Sequence, residues 1–307
     1  MKKIIYILVF LFSMTTAFSQ NKLINAKYFL QQEEFVKAKE LIDAAVVDSM
    51  FYDLPATWYI KGHIYKGLFK ENESDDLNSP SRVTAINDFK KCIELEPEGQ
   101  YAESAKKGIS YLATTIYNQA ASIFNEKTYS TAISAYEFHK EVMRYAYPET
   151  DFLDKDIMFK LRMASIYNIL AEKDTLNAKV HIEAAEEVYK EVLLLDSNNR
   201  SANYNLGIIY YNQGVDIVNN MDYNLDLMEL TIIQDEIIVL FRKSLPYMKK
   251  AYDLNPTRKE TLIGLQGIYF SLNDMPKSEL FKKELEMLEG SGKPTQDEEI
   301  DEEVQDK

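Results

Sequence analysis

Apolar and small residues recur three and four positions apart along almost the whole chain, which is the spacing of one face of an α-helix. A more specific pattern repeats within it: a small residue, an aromatic ring four positions later, a small or apolar residue three later, and then a proline. Ala85, Phe89, Cys92 and Pro97 show this pattern in full. It returns as Ala185, Tyr189, Val192 and Ser197, and as Ser244, Met248, Ala251 and Pro256. The recurrence predicts a stack of helical hairpins.

The segment before Ala85 supplies the partner helix of the clearest hairpin. Trp58, Gly62 and Tyr65 are spaced to share one face of a helix, and the glycine between them lets a neighbouring helix approach closely. The chain of 307 residues contains ten glycines and eight prolines, and its helical spacing leaves little room for strands. The predicted class is therefore all-α.

These residues resemble the tetratricopeptide repeat (TPR), a helix-turn-helix unit of about 34 residues. The resemblance covers nearly all of residues 22–289 and implies an α-solenoid of five to six repeats over residues 20–289 in an exported bacterial protein. The repeats are marked, in order, by Phe29 and Ala38; Trp58 to Pro97; Ala120 and Tyr136; Ala164 to Val192; Leu206 to Pro256; and Leu262 to Leu285. In the fifth repeat both Gly207/Tyr210 and Gly214/Ile217 fit the pattern, so its register stays open.

Several segments depart from a regular array. Two polar insertions, Glu71–Ser81 and Glu172–His181, separate paired helices and are too polar for a core, which predicts solvated loops. Helical phase continues over Tyr101–Asn125 and Ser201–Asn220, which predicts overlong first helices in the third and fifth repeats. The tripeptide Tyr117-Asn118-Gln119 recurs as Tyr211-Asn212-Gln213, which indicates a longer period of roughly a hundred residues.

An apolar stripe lies between residues 225 and 245. We expect it to be helical and to continue into Pro246, which would kink it. Asp235 and Glu236 interrupt the stripe and argue against a membrane span. Its apolar side chains either pack against neighbouring repeats or form a partner or dimer surface, and the sequence favours packing.

Both ends of the chain differ from the repeats. Lys2 and Lys3, an apolar run and a small-residue end at Ser19 predict a secretory signal peptide over residues 1–19. Export to the periplasm, to the outer membrane or out of the cell is therefore expected. Glycines and a proline followed by many acidic residues predict a disordered acidic tail over 290–307. The formal net charge of −14 disfavours nucleic acid and anionic lipid as partners.

The sequence contains little that could carry catalysis. Its histidines, His63, His139 and His181, fall in different repeats, and no zinc-peptidase, paired-cysteine, phosphate-loop or nucleophile-elbow motif occurs. Cys92 takes the place of a small core residue in its repeat, so we interpret it as packing rather than reactive. The sequence predicts no enzyme activity, no cofactor and no metal site.

The TPR resemblance implies a concave groove lined by the first helix of each repeat. Carried onto matching positions, it nominates a set of aromatic and weakly charged residues: Tyr59, His63, Lys66, Tyr117, Ala121, Phe124, Leu161, Ser165, Asn168, Tyr204, Ile208 and Tyr211. Tyrosine offers ring area and a hydroxyl, which suits an extended peptide, a helix or a sugar. The alternative for each single tyrosine is packing between repeats.

The predicted function is a non-enzymatic exported scaffold that binds a protein or peptide partner through this groove. Two alternatives remain at this point. One is a glycan-binding or nutrient-uptake accessory of the outer membrane, and the other is a self-assembling structural protein. The partner's identity and the oligomeric state do not follow from the sequence.

Overall fold

A computed structural model of the protein describes residues 22–222 and 224–290. These residues form thirteen helices and no strand, which confirms the all-α class. The chain divides into two compact units, of which the first ends at Phe152 and the second begins at Leu153. The predicted signal peptide at 1–19 and all but the first residue of the predicted tail at 290–307 lie outside the described residues.

The first unit contains α1 (22–31), α2 (Phe35–Ala45), α3 (Ser49–Tyr52), α4 (Pro55–Asn72), α5 (Pro80–Leu95), α6 (Ala102–Ser122) and α7 (Tyr129–Ala146). The second contains α8 (Leu153–Lys173), α9 (Ala178–Leu195), α10 (Arg200–Asn220), α11 (Leu227–Leu254), α12 (Lys259–Ser271) and α13 (Met275–Gly290). Apart from the short α3, the helices pack as consecutive pairs: α1 with α2, α4 with α5, α6 with α7, α8 with α9, α10 with α11, and α12 with α13. Helical hairpins packed in chain order are the arrangement of an α-solenoid, as predicted.

The large residue of the repeat signature lies between two glycines. Phe89 on α5 is fully buried, and a Cβ atom added to Gly62 on α4 or Gly108 on α6 would lie 2.7 or 2.6 Å from its ring. In the second unit Met248 on α11 contacts Gly207 and Gly264 in the same way. Because Gly207 faces Met248 as Gly62 faces Phe89, the fifth repeat has the Gly207/Tyr210 register.

The long helices agree only in part with the sequence pattern. α6 and α10 are 21 residues each, and α6 is shorter than the predicted Tyr101–Asn125. α8 also has 21 residues, which the pattern did not indicate. Both ends of the predicted Glu172–His181 insertion are helical, because α8 extends to Lys173 and α9 begins at Ala178. Only residues 174–177 therefore lie between the two helices.

The first predicted insertion is not a solvated loop throughout, and the prediction is wrong for its second half. Residues 73–79 connect α4 to α5, and within the predicted Glu71–Ser81 segment Ser79 and Ser81 are buried. Glu73 accepts hydrogen bonds from the Ser79 hydroxyl at 2.5 Å and from the Ser81 hydroxyl at 2.6 Å. These polar groups tolerate burial because they satisfy one another.

The apolar stripe forms most of α11, which begins at a capping box of Asp226 and Glu229 and continues past Pro246. Ile237 and Phe241 are buried, in agreement with the expected packing. Leu227, Met228 and Ile232 are 82%, 74% and 60% exposed. The stripe is therefore packed in its second half and exposed at its beginning.

Candidate partner-binding cleft

The groove residues predicted on α4 are half-buried and contact the next helices of the first unit. Tyr59 stacks on Tyr101 with ring centroids 4.7 Å apart, and its hydroxyl lies 2.8 Å from Ser104 Oγ. His63 meets the Phe89 ring edge-on at 5.1 Å. These contacts join α4 to α5 and α6, so the two side chains offer little free surface to a partner.

Lys66 is also engaged within the first unit. Its Nζ lies 4.5 Å from the ring centroid of Tyr111 on α6, a cation–π contact. Burial, and then the neighbouring Lys70, lower the pKa of Lys66. Burial, followed by the charge of Lys66, also lowers the pKa of His63 to about 4, so His63 is neutral at pH 7.

Of the residues predicted in the third repeat, Tyr117 lies beside a buried histidine. His139 is fully buried, and its Nδ1 lies 2.8 Å from the carbonyl oxygen of Ala113. The half-buried Tyr117 ring lies 5.3 Å from the His139 ring. Phe124 is buried and Ala121 is half-buried. Phe124 is therefore core, and Tyr117 packs against its own partner helix.

In the second unit the predicted tyrosines of α10 pack against other helices. The Arg258 guanidinium lies 3.7 Å from the ring centroid of Tyr204. Tyr211 lies 5.6 Å from the Phe241 ring, and its hydroxyl occupies the space that a Cβ on Gly267 would need. Both tyrosines contact the same core cluster, so they mainly join helices.

An open cleft lies beside these tyrosines, between the end of α8, the start of α9 and the middle of α10. It encloses about 410 Å³, and we call it the Asn168 cleft. Its polar lining is Asn168, Glu172, Asn205, Asn212, Gln213 and Asp216. Its apolar lining is Ala171, Ala178, Ile182, Ile208 and Ile209. Of the residues predicted on these helices, Asn168 and Ile208 line the cleft, whereas Leu161 packs on the core and Ser165 is exposed elsewhere.

The polar groups of the Asn168 cleft are only partly used within the protein. Asn168 Nδ2 donates to the Tyr189 hydroxyl at 3.2 Å, and Asn205 Nδ2 donates to the Ser201 carbonyl at 2.8 Å. The side chains of four other polar lining residues make no hydrogen bond or ion pair with any described residue: Glu172, Asn212, Gln213 and Asp216. No lysine, arginine or aromatic residue lines the cleft. The open groups are therefore carboxamides and carboxylates.

The corresponding position in the first unit is filled. The matching tripeptides align Gln119 with Gln213, and the hairpin signatures align Arg82 on α5 with Ile182 on α9. Arg82 is 1% exposed, and its guanidinium donates to Gln119 Oε1 at 2.6 Å and to the Leu77 carbonyl at 2.5 Å. It also lies 5.0 Å from the Phe69 ring. Arginine and phenylalanine thus occupy the space that is open in the second unit.

Neither Arg82 nor the cleft itself was predicted from the sequence. A signal for both was present in the longer repeat, because it aligns the large pair Phe69 and Arg82 with the smaller pair Ala171 and Ile182. A smaller pair in the same helical frame leaves a cavity unless neighbouring side chains move into it.

Within residues 22–222 and 224–290 no group of histidine, cysteine and acidic residues is arranged to hold a metal ion. No helix in this part of the chain is long and apolar enough to cross a membrane.

No family model and no curated protein matches this sequence. Among solved structures, the human IFIT1 dimer with m7Gppp-AAAA is 12% identical, with 87% of this chain and 50% of that chain covered and a TM-score of 0.35. A monomeric IFIT1 mutant with Gppp-AAAA is 12% identical over 84% of this chain and 48% of that chain, with a TM-score of 0.34. PilW, a type IV pilus biogenesis factor, is 13% identical over 88% and 92%, with a TM-score of 0.27. The chain spans about half the length of the IFIT1 chains, and the likeness concerns the helical fold alone.

Proposed function

We propose that this protein is an exported, non-enzymatic scaffold of the TPR class that binds an extended segment of a partner protein in the Asn168 cleft. The observation that carries the proposal is a row of carboxamides on an apolar floor. Asn212 and Gln213 each present a donor and an acceptor that no described residue uses. A carboxamide can bond both the N–H and the C=O of an extended peptide backbone. The volume of about 410 Å³ lies in the range of roughly 300–1,000 Å³ that is usual for ligand sites.

The other parts of the proposal rest on the sequence and on the composition of the cleft. Export rests on the signal-peptide pattern of residues 1–19. The non-enzymatic part of the proposal rests on the sequence, which contains no zinc-peptidase, paired-cysteine, phosphate-loop or nucleophile-elbow motif. An acidic chain disfavours nucleic acid. A glycan is less well supported than a peptide, because no ring lines the cleft for a sugar to stack on.

The test is binding of peptides to a variant that lacks the open carboxamides. A display library of random peptides of about 12 residues is selected on the protein, and the binders are measured by fluorescence anisotropy. Asn212→Ala/Gln213→Ala removes two hydrogen-bonding side chains, and we expect about tenfold weaker binding. Asn118→Ala/Asn219→Ala, which alters two exposed asparagines outside the cleft, is the matched control. Equal affinity of the selected peptides for both variants would refute the cleft as the binding site.

Self-association is a second candidate, which the exposed start of α11 favours. Leu227, Met228 and Ile232 present apolar surface that no described residue covers. Light scattering of the wild type at micromolar concentration tests it, with Met228→Glu/Ile232→Glu as the disrupting variant. A strict monomer in the wild type excludes this function.

A further inference from the structure

We infer that the Asn168 cleft takes an arginine side chain from its partner, so that the bound segment is extended and basic. The inference rests on the proposed function and adds the chemical class of the partner. It comes from the comparison of the two units, since the first unit shows an arginine in the corresponding space.

The first unit provides the internal template. The guanidinium of Arg82 is buried against the Phe69 ring and donates to Gln119 Oε1, to Thr115 Oγ1 at 3.3 Å and to two backbone carbonyls. The side-chain acceptors are on α6, and the carbonyls belong to the loop between α4 and α5. A single arginine therefore closes the space between α4, α5 and α6.

The second unit keeps part of this frame without the arginine. The residues aligned with Phe69, Thr115 and Gln119 are Ala171, Ile209 and Gln213, and all three line the Asn168 cleft. Ile182 takes the place of Arg82 and cannot fill the same volume. Gln213 Oε1 therefore remains as an acceptor with no donor from any described residue.

The charge of the surroundings changes in the direction that favours an external cation. The aligned pair Lys66 and Lys70 in the first unit becomes Asn168 and Glu172 in the second, and Ser122 becomes Asp216. The Glu172 and Asp216 carboxylates make no ion pair with a described residue, and no basic residue lines the cleft. An arginine entering it would meet two carboxylates and a carboxamide oxygen, to which its fixed fork of donors is suited.

The experiment asks whether charge or only shape is recognised. The probes are the library-selected peptides and copies in which each arginine is replaced by citrulline, which has nearly the same shape but no charge. We expect selected peptides to contain an arginine whose replacement weakens binding about tenfold. Glu172→Gln/Asp216→Asn should weaken binding of the arginine peptide about fivefold and that of the citrulline peptide little. Asp235→Asn/Glu236→Gln on α11 gives the same change in net charge at exposed positions and should leave both affinities unchanged.

A second variant supplies the missing arginine from within. Ala171→Phe/Ile182→Arg introduces the phenylalanine and arginine found at the aligned positions of the first unit. We expect this variant to fold, as checked by circular dichroism, and no longer to bind the arginine peptide. Selected peptides that need Asn212 and Gln213 but bind equally well with citrulline overturn this inference and leave the proposed function intact. A library without any binder that depends on Asn212 and Gln213 overturns both.

Discussion

Arg82→Met is the change that most directly tests the closed space of the first unit. Methionine keeps much of the aliphatic volume of the side chain but donates no hydrogen bond. The substitution removes the Arg82 donor from four acceptors, namely Thr115 Oγ1, Gln119 Oε1 and the carbonyls of Asp76 and Leu77. The Asp76 carbonyl still accepts from the Ser79 N–H, so three of the four lose the protein donor shown for them. Each buried acceptor left unpaired costs about 1–3 kcal/mol.

The net loss is smaller than the sum of these penalties. Burial disfavours the charged guanidinium and lowers the pKa of Arg82, so its removal also relieves a desolvation cost. Water or shifted side chains also reach some of the acceptors. We therefore expect the free energy of unfolding of the first unit to fall by about 2–4 kcal/mol.

Trp58 makes this measurement specific to the first unit, because it is the only tryptophan of the chain and lies on α4. Urea unfolding followed by its fluorescence should show a midpoint lower by about 1–2 M. Lys107→Met, at an exposed position of α6, should change the free energy by less than about 0.5 kcal/mol. If the midpoint of Arg82→Met matches that of Lys107→Met, Arg82 does not hold the space closed.

Three further predictions concern the core of the first unit, and each has its own readout. Gly108→Ala should lower the free energy of unfolding, measured in urea, by about 1–3 kcal/mol despite alanine's higher helix propensity, because the new Cβ would lie 2.6 Å from the Phe89 ring. An unchanged urea midpoint would contradict this close contact. Burial lowers the pKa of His63 to about 4, so as the pH falls the unfolded chain binds a proton at this histidine before the folded chain does. The free energy of unfolding should therefore have its full value above pH 6.5 and fall by about 1–2 kcal/mol towards pH 4. His63→Phe should remove this part of the pH dependence, and the same slope in both proteins refutes the assignment. Burial raises the pKa of the Cys92 thiol to about 11, so a thiol reagent should label it at least about a hundredfold faster in urea than in buffer, and rapid labelling of the native protein argues against its core position.

Much of the fold could be predicted because its signals are local. Helical spacing and the small-aromatic-small signature identified residues that prove to be buried, among them Ala85, Phe89 and Cys92. The second polar insertion was harder, since residues 178–181 belong to a segment that is polar overall but form the first turn of α9. Burial of the first insertion was missed because polarity predicts exposure only when polar groups have no partners, and Glu73 and Ser79 pair with each other.

The candidate site was predicted less well than the fold. Helical phase predicts that Tyr59 and Tyr211 lie on a helix face turned away from the partner helix of the same hairpin. It does not predict whether a binding partner or the next repeat covers that face. In the structure Ser104 and Gly267 take up those positions. Asn168 was predicted as a groove residue and lines the open cleft, but Asn212 and Gln213 were noticed only as a repeated tripeptide.

The all-α class, the order of the hairpins, the residues at their cores and the acidic character of the chain follow from spacing and composition alone. Which of the two equivalent spaces is filled and which is open depends instead on packing in three dimensions. That outcome depends on the combined volume of side chains from three helices, such as Phe69 with Arg82 or Ala171 with Ile182. Neither volume nor closure is a property of a single segment, because a cavity exists only where all of its walls meet.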